Sequence, residues 1–322
     1  MFWLWSGFIG LILALLAFDL GFFHKKAHII HFKEAFFWTG FWIVLSLIFN
    51  GLVYFMYENH WFGIGTQIGH KLNGNDAALM FFTGYILEKS LSLDNIFVMA
   101  LIFSYFKVPA KYQHKVLFWG ILGAIVLRAV MIILGTTLIE KFSWMIYVFG
   151  LFLIISAIKI LFTKHDHFEP EKNPLIRLAK RIFPVSDKYA ESHFFTIVDG
   201  KRAATPLLPV LIVVESTDVL FAIDSIPAIF AVTTDPFIVF TSNIFAILGL
   251  RSLYFALASV IEKFRYLKVS LVYILIYVGL KMILSHHSPI PTFVSLLIIL
   301  TILLTGILAS VVAARRETAR MK

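Results

Sequence analysis

The sequence predicts an all-α polytopic membrane protein of about nine transmembrane helices, built around an inverted 3+3 helix repeat. Three observations carry that expectation: long apolar runs, basic residues gathered in alternate connections, and one order of charges that occurs twice inside the runs. The chain has 322 residues, of which 60% are hydrophobic and only 15% charged. A water-soluble domain carries roughly a quarter of its residues as charges, so this composition points to lipid as the solvent.

Apolar runs of about 18 residues or more predict spans at 2–20, 35–57, 77–105, 116–139, 144–162, 207–233, 237–260, 267–285 and 292–314. The first has no basic residue ahead of it and no small-residue cleavage pattern behind it, so it reads as a helix rather than a signal peptide. Of the 28 Lys+Arg, 21 fall in, or within two residues of, connections 1–2, 3–4, 5–6 and 7–8 and the C-terminal segment. The other connections hold only Lys71 and Lys141. Lys and Arg resist translocation, so the N-terminus is expected outside and the C-terminus in the cytoplasm. The net charge of +9 then faces anionic lipid and needs no nucleic acid as partner.

Self-similarity divides the chain further. YILEKSLSLDNIFVMALIF aligns with STDVLFAIDSIPAIFAV so that Glu88 meets Asp218 and Asp94 meets Asp224, both pairs being six residues apart. GAIVLRAVMI and AILGLRSLYF follow, matching Arg128 with Arg251, and then AIKILF and VGLKMIL, matching Lys159 with Lys281. The expected units are 1–76 with two N-terminal helices, 77–162 as the first repeat, 163–206 as a cytoplasmic loop, 207–285 as the second repeat, and 286–322 with the last helix and a basic tail. Three spans are an odd number, so the second copy must lie upside down relative to the first. Glu88 is then expected near the depth of Asp224, and Asp94 near that of Asp218, in two layers roughly 9 Å apart at 1.5 Å per residue.

An acid at the centre of a membrane helix costs roughly 2.5–3.5 kcal/mol on insertion scales, so Glu88, Asp94, Glu215, Asp218 and Asp224 must face protein, water or a cation. Lys159 and Lys281 are close enough to span ends to snorkel. That leaves Lys89, Arg128 and Arg251 near the midplane against five acids, a deficit that a divalent cation or two protons would fill. Arg128 and Arg251 read as counter-ions, and Asn95, Ser225 and Asn243 either as neutral oxygen ligands or as partners in interhelical hydrogen bonds. Glu215, Asp218 and Asp224 fit no single polar stripe, so their span is expected to be either enclosed on all sides or broken, the break falling at Pro227 and freeing backbone carbonyls upstream. With no cysteine in the chain and every His in a loop or at a span end, the donors are oxygens, which suit Mg, Ca or Mn. No Ser/His/Asp set, Walker loop or dinucleotide fingerprint is present, so neither an enzyme nor ATP-driven transport is expected, and no bound cofactor. Asp19 and Asn50 are expected to serve span-end solvation or helix packing. In the loop, NPLIRLAKRIFPVS has the pattern of an interfacial helix. FFTIVDGKRAAT reads as a hairpin turning at Asp199-Gly200. The His165/His167 and His286/His287 pairs are weak metal signals.

EKSLSLDNIFV, GAIVLR, ESTDVLFAIDSIPAIFAVTTDPFIVFTSN and FAILGLR resemble the TerC family of bacterial integral membrane proteins, through essentially the whole chain. The resemblance implies a link to tellurite resistance by name and, for its long nine-span branch, manganese efflux and alkaline response, within a superfamily of lysine and cation exporters. It carries Glu88, Asp94, Asn95, Glu215, Asp218 and Asp224 as the motif positions here. The expected activity is export of Mn2+ held by the two carboxylate layers, with proton exchange as the natural coupling. Its rival is a non-transporting membrane subunit acting in stress response or in metal loading of secreted proteins.

Overall fold

The computed structural model describes residues 2–23, 32–66, 69–162, 193–198, 201–257, 266–285 and 288–320. Its helices are α1 (Phe2–Phe23), α2 (Phe32–Glu58), α3 (Gly74–Tyr105), α4 (Ala110–Lys141), α5 (Met145–Phe162), α6 (Leu207–Phe230), α7 (Pro236–Ile247), α8 (Leu250–Leu257), α9 (Leu267–Leu284) and α10 (Thr292–Arg320). A short hairpin, β1 (Phe195–Val198) and β2 (Lys201–Ala204), pairs Val198 with Lys201 as the sequence predicts. The turn residues themselves, the expected interfacial helix of the 163–192 stretch and the four loop histidines lie outside the described residues.

Helices dominate because a backbone among lipid tails has no water to bond and must satisfy itself internally. Hydroxyl side chains follow the same rule. Thr83, Ser90, Ser216 and Thr241 donate to the carbonyls of Leu79, Ile86, Ile212 and Phe237, each one turn back. Asn73 caps α3 by accepting from the Asp76 backbone N–H at 2.7 Å, and Asp235 caps α7 by accepting from those of Phe237 and Ile238.

Among the described residues, five helices, α2, α4, α5, α9 and α10, are long and apolar enough to cross a membrane, and the bent pair α7–α8 makes a sixth. α1 is apolar over a shorter stretch, Trp3–Asp19. α3 and α6, with 32 and 24 residues, have the length. What they carry instead of uniform apolarity is Glu88, Lys89 and Asp94 on one and Glu215, Asp218 and Asp224 on the other.

Of the two expectations for the acid-bearing span of α6, enclosure on all sides or a break, the break at Pro227 is not there. α6 runs unbroken through it, whereas the chain bends by 40° between α7 and α8. The physical reason is Gly249, whose φ of +79° ends α7 cheaply only for glycine. A side chain there would also stand 2.6 Å from Trp42 of α2.

Contacts fix how the helices run. Gly84 of α3 touches Ile229 of α6, and four residues on, Glu88 shares Arg128 with Ser225, so α3 and α6 are antiparallel. Gly84 also touches Ser242 of α7, and Lys89 reaches Ala246, so α3 and α7 are parallel. α4 and α6 are parallel as well, through Gly120 with Val214 and Gly135 with Phe230. Between α5 and α9 the contact is reciprocal. A Cβ on Gly150 would lie 2.8 Å from the Gly279 carbonyl, and one on Gly279 would lie 2.7 Å from the Gly150 carbonyl. Gly150 also faces Met282 and Ile283 as Gly279 faces Leu153 and Ile154, three and four residues on in each case. This equates Gly150 with Gly279, an offset of 129 residues, whereas matching Lys159 with Lys281 requires 122. The lysine match is therefore about two helical turns out of register with the packing.

α1 and α2 lie against the α3–α7–α8 side. Phe8 of α1 packs on Phe49, Phe237 and Phe240, and Phe49 of α2 stacks on Phe245 at 4.3 Å. A second core joins α5, α6 and α9, through Leu153, Ile229 and Val278 among others.

Candidate cation site

Where α3, α4, α6 and α7 meet, Arg128 sits fully buried. One of its terminal nitrogens donates to Glu88 Oε1, to Asn243 Oδ1 at 2.5 Å and to Ser225 Oγ at 3.2 Å. This one guanidinium ties three helices to its own, and its ion pair with Glu88 is buried on both sides. Arg128, expected as a counter-ion, is placed against Glu88. Asn243 and Ser225 use their oxygens on the arginine.

Beside this knot is a cavity of about 630 Å³ between α3, α5, α6 and α9. Glu88, Asp94, Asn95, Asp224 and Ser225 line it, with Ser156 and Lys159 from α5. Ser156 donates to Asp224 Oδ1 at 2.7 Å. The sequence reading passed over Ser156, although a hydroxyl interrupting an apolar run was its available signal.

Glu215 and Asp218 are not in the cavity lining. The Glu215 carboxylate rests on Gly123 of α4, filling the space a side chain there would need. Asp218 is buried one helical turn further on. The six motif residues therefore divide, with Glu88, Asp94, Asn95 and Asp224 lining one cavity and Glu215 and Asp218 outside it.

Among the described residues, Glu88 Oε2, Asn95 Oδ1 and Asp218 Oδ2 find no hydrogen-bond partner and are buried. Leaving such an atom bare costs about 1–3 kcal/mol, and more where it carries charge. Even so, no three acidic or histidine side chains among the described residues converge tightly enough to enclose a metal ion. The oxygens present fit a hard cation in kind. Holding one at full coordination would take closer approach of the helices than is seen here.

Several basic and acidic residues lie elsewhere than expected. Arg251, read as a second counter-ion to the acids, is salt-bridged to Asp19 Oδ1 at 2.7 Å and donates to the Asp19 carbonyl. Asp19 is correspondingly a buried ion-pair partner rather than a solvated span end. Lys281, expected to snorkel, is buried with 9% exposure. Lys89 donates to the carbonyls of Ala246 at 2.9 Å and Leu248 at 3.5 Å, groups left open where α7 ends at Gly249. A further acid of the second motif is Asp235. Fully buried, it accepts from Tyr57 Oη, the His70 backbone N–H and its own cap partners, which pins the loop before α3 to the start of α7.

Comparison with known proteins is consistent with this arrangement of motifs. The family model "Integral membrane protein TerC family" matches residues 73–318. The chain belongs to the TerC family. It is 50% identical to a Myxococcus xanthus protein named "Uncharacterized membrane protein STKORF319", over 97% of this chain and 93% of the relative. It is 46% identical to the Salmonella typhi "Putative membrane-bound redox modulator Alx", over 93% and 91%, and 44% identical to the protein of the same name from Escherichia coli K12, also over 93% and 91%. No solved structure matches it. An integral, multi-pass membrane protein follows from the family and the helices together.

Proposed function

We propose that this TerC-family protein exports divalent cations, manganese foremost, across the bacterial inner membrane. Counting α7–α8 as one bent span with α1–α6, α9 and α10 gives nine, with the N-terminus outside and the C-terminal tail in the cytoplasm. The segments α3–α5 and α6–α9 act as inverted repeats. Their antiparallel self-contacts, α3 with α6 and α5 with α9, and the matching parallel pairs α3–α7 and α4–α6, support that reading. Such halves rock against each other around a central site.

The observation that carries the proposal is the set of buried oxygens without partners, Glu88 Oε2, Asn95 Oδ1 and Asp218 Oδ2, at and beside an acid-lined cavity. Oxygen donors with no sulfur or imidazole favour Mn2+ over Cu+. Proton exchange is the natural driving force, with the carboxylates carrying protons on the return. The rival reading, a non-transporting stress subunit, draws on the name of the Alx relatives, "redox modulator". This chain has no cysteine, so thiol redox chemistry would have to belong to another protein. Manganese flux in proteoliposomes containing only this chain separates the two. Flux that is present in the native chain and lost in Asp94→Asn and Asp224→Asn is expected. Normal flux in both variants would remove the cavity acids from the pathway, and absence of flux in the native chain would favour the subunit.

A further inference from the structure

The short hairpin is held against the ends of two long helices. Only Thr205 and Pro206 separate β2 from α6, so Ala204 lies at most about 11 Å from the helix start at Leu207. Thr205 is fully buried and fastens the base: its Oγ1 donates to the His193 carbonyl at 2.6 Å, and its backbone N–H to that of Phe194 at 2.9 Å. Ala203 and Ala204 are buried as well, so this end of β2 packs on protein.

On the α4 side the residues are those of a membrane boundary. Lys111, Lys115 and Trp119 recur every four residues and share one face of α4, a helix long and apolar enough to cross a membrane. Lysine followed one turn inward by an exposed tryptophan is how a span meets headgroups. Phe194 joins the hairpin to this face. The Lys115 ammonium lies over its ring, 5.2 Å from the centroid, and Trp119 meets it edge-on at 6.5 Å.

Beyond Phe194 the hairpin turns apolar groups outward. Phe195 and Ile197, two apart and thus on one side of β1, are 48% and 73% exposed. Ile197 pairs across the hairpin with Arg202, also exposed, so an aliphatic side chain and a guanidinium stand together on that side. An exposed isoleucine alone means little. One beside a guanidinium, at the level where a span enters the bilayer, fits a lipid leaflet, with hydrocarbon for the one and phosphate for the other.

We propose that the hairpin of β1 and β2 is a lipid-binding element, in which Ile197 dips below the headgroups of the adjoining leaflet and Arg202 pairs with the phosphate of an anionic phospholipid. Because β2 runs almost directly into α6, the leaflet thereby holds the start of the helix that carries Glu215, Asp218 and Asp224.

The chain has no native cysteine, so Ile197→Cys places a single nitroxide on this face in the full-length protein. In nanodiscs of phosphatidylcholine with phosphatidylglycerol, its collisions with oxygen, which concentrates in hydrocarbon, are expected to exceed those with a water-soluble nickel chelate. Omitting phosphatidylglycerol, or adding Arg202→Gln, is expected to lower the oxygen-to-nickel ratio about threefold or more, on the scale of the roughly 1 kcal/mol that one basic side chain gains at an anionic surface. A nitroxide at Thr196→Cys, on the other side of β1, is expected not to respond. A ratio favouring nickel in anionic nanodiscs would put the Ile197 face in water and overturn the proposal. Poor access to both reagents would overturn it too, because protein, another segment of this chain or a second copy, would then cover the face. A high ratio indifferent to phosphatidylglycerol and to Arg202→Gln, or an equal response at Thr196→Cys, would overturn the recognition of anionic lipid by this face.

Discussion

The segments α3–α5 and α6–α9 meet each other through matched contacts, yet their arginines have parted company. Arg128 turns inward to Glu88, Ser225 and Asn243, whereas Arg251, its sequence counterpart, turns outward to Asp19 of α1. The helices around them differ in the same way. α4 is continuous over 32 residues, and its counterpart is bent into α7 and α8. One segment therefore holds the site together, and the other is anchored to the added helices α1 and α2, with Trp42 packed on the bend at Gly249. The difference teaches that equal motifs do not imply equal roles. On the proposed export reading, α1 and α2 make one of the two arms the fixed one, against which the other would move.

The sharpest way to break that comparison is to remove the two ion pairs in turn. Arg128→Ala strands the Glu88 charge in the interior and is expected to cost about 3–5 kcal/mol, seen as lost folded yield on size-exclusion chromatography and a lower melting temperature. Arg251→Ala is expected to lose stability as well, since Asp19 is then left buried. Paired replacement separates them. Asp19→Leu with Arg251→Leu should recover much of the yield and keep manganese flux, whereas Glu88→Gln with Arg128→Gln should recover yield without flux. Flux surviving the second pair would mean that the Arg128 knot is only scaffold.

The bend itself comes next in size. Gly249→Ala combines a positive φ with a clash against Trp42, and about 2–3 kcal/mol of destabilisation is expected in thermal melts. Pro227→Ala, at the position where sequence alone puts the break, is expected to change stability by less than about 1 kcal/mol, since α6 is already continuous there. The reverse ranking would move the hinge back to α6.

How much of this was legible follows from which interactions are local. Span limits such as 144–162 and 207–233 come close to α5 and α6, because lipid solvation acts on each run separately. The hairpin at 195–204 was legible for the same reason, through its turn residues. The acids and Arg128 were legible because charges in lipid demand partners. Which partner each one takes was not. Asp19 with Arg251 spans 232 positions, and Lys89 with Ala246 spans 157. Gly249 could not outrank Pro227 without knowledge that Trp42 lies against it. The Lys159–Lys281 match failed because spacing alone cannot tell a conserved register from a slip of two turns, whereas the Gly150–Gly279 contact can.

That glycine contact sharpens the comparison where the two segments are most alike. Gly150→Ala and Gly279→Ala each push a methyl onto the facing backbone carbonyl, so equal losses of about 1–3 kcal/mol are expected, with similar reductions in flux. A large loss from one and none from the other would mean that the α5–α9 contact is not a shared axis.

The smallest effect concerns Lys89, whose counterpart in α6, at the offset of 130 that equates Glu88 with Asp218, is Val219. The difference has a local cause: α7 ends early and leaves carbonyls open, and the unbroken α4 does not. Lys89→Met keeps the length and removes the donor. Two terms then oppose. The Ala246 and Leu248 carbonyls lose their hydrogen bonds, while the interior no longer has to hold an ammonium group. The net is expected to be a loss of only about 1 kcal/mol. Its magnitude says less than its coupling. If Lys89 serves the carbonyls that the bend exposes, Lys89→Met and Gly249→Ala act on one structural feature, and their effects in the double variant should depart from additivity by more than about 0.5 kcal/mol. Additive losses in thermal melts would mean that Lys89 and the bend are independent, and the account of why one segment carries a half-buried lysine and the other a valine would have to be given up.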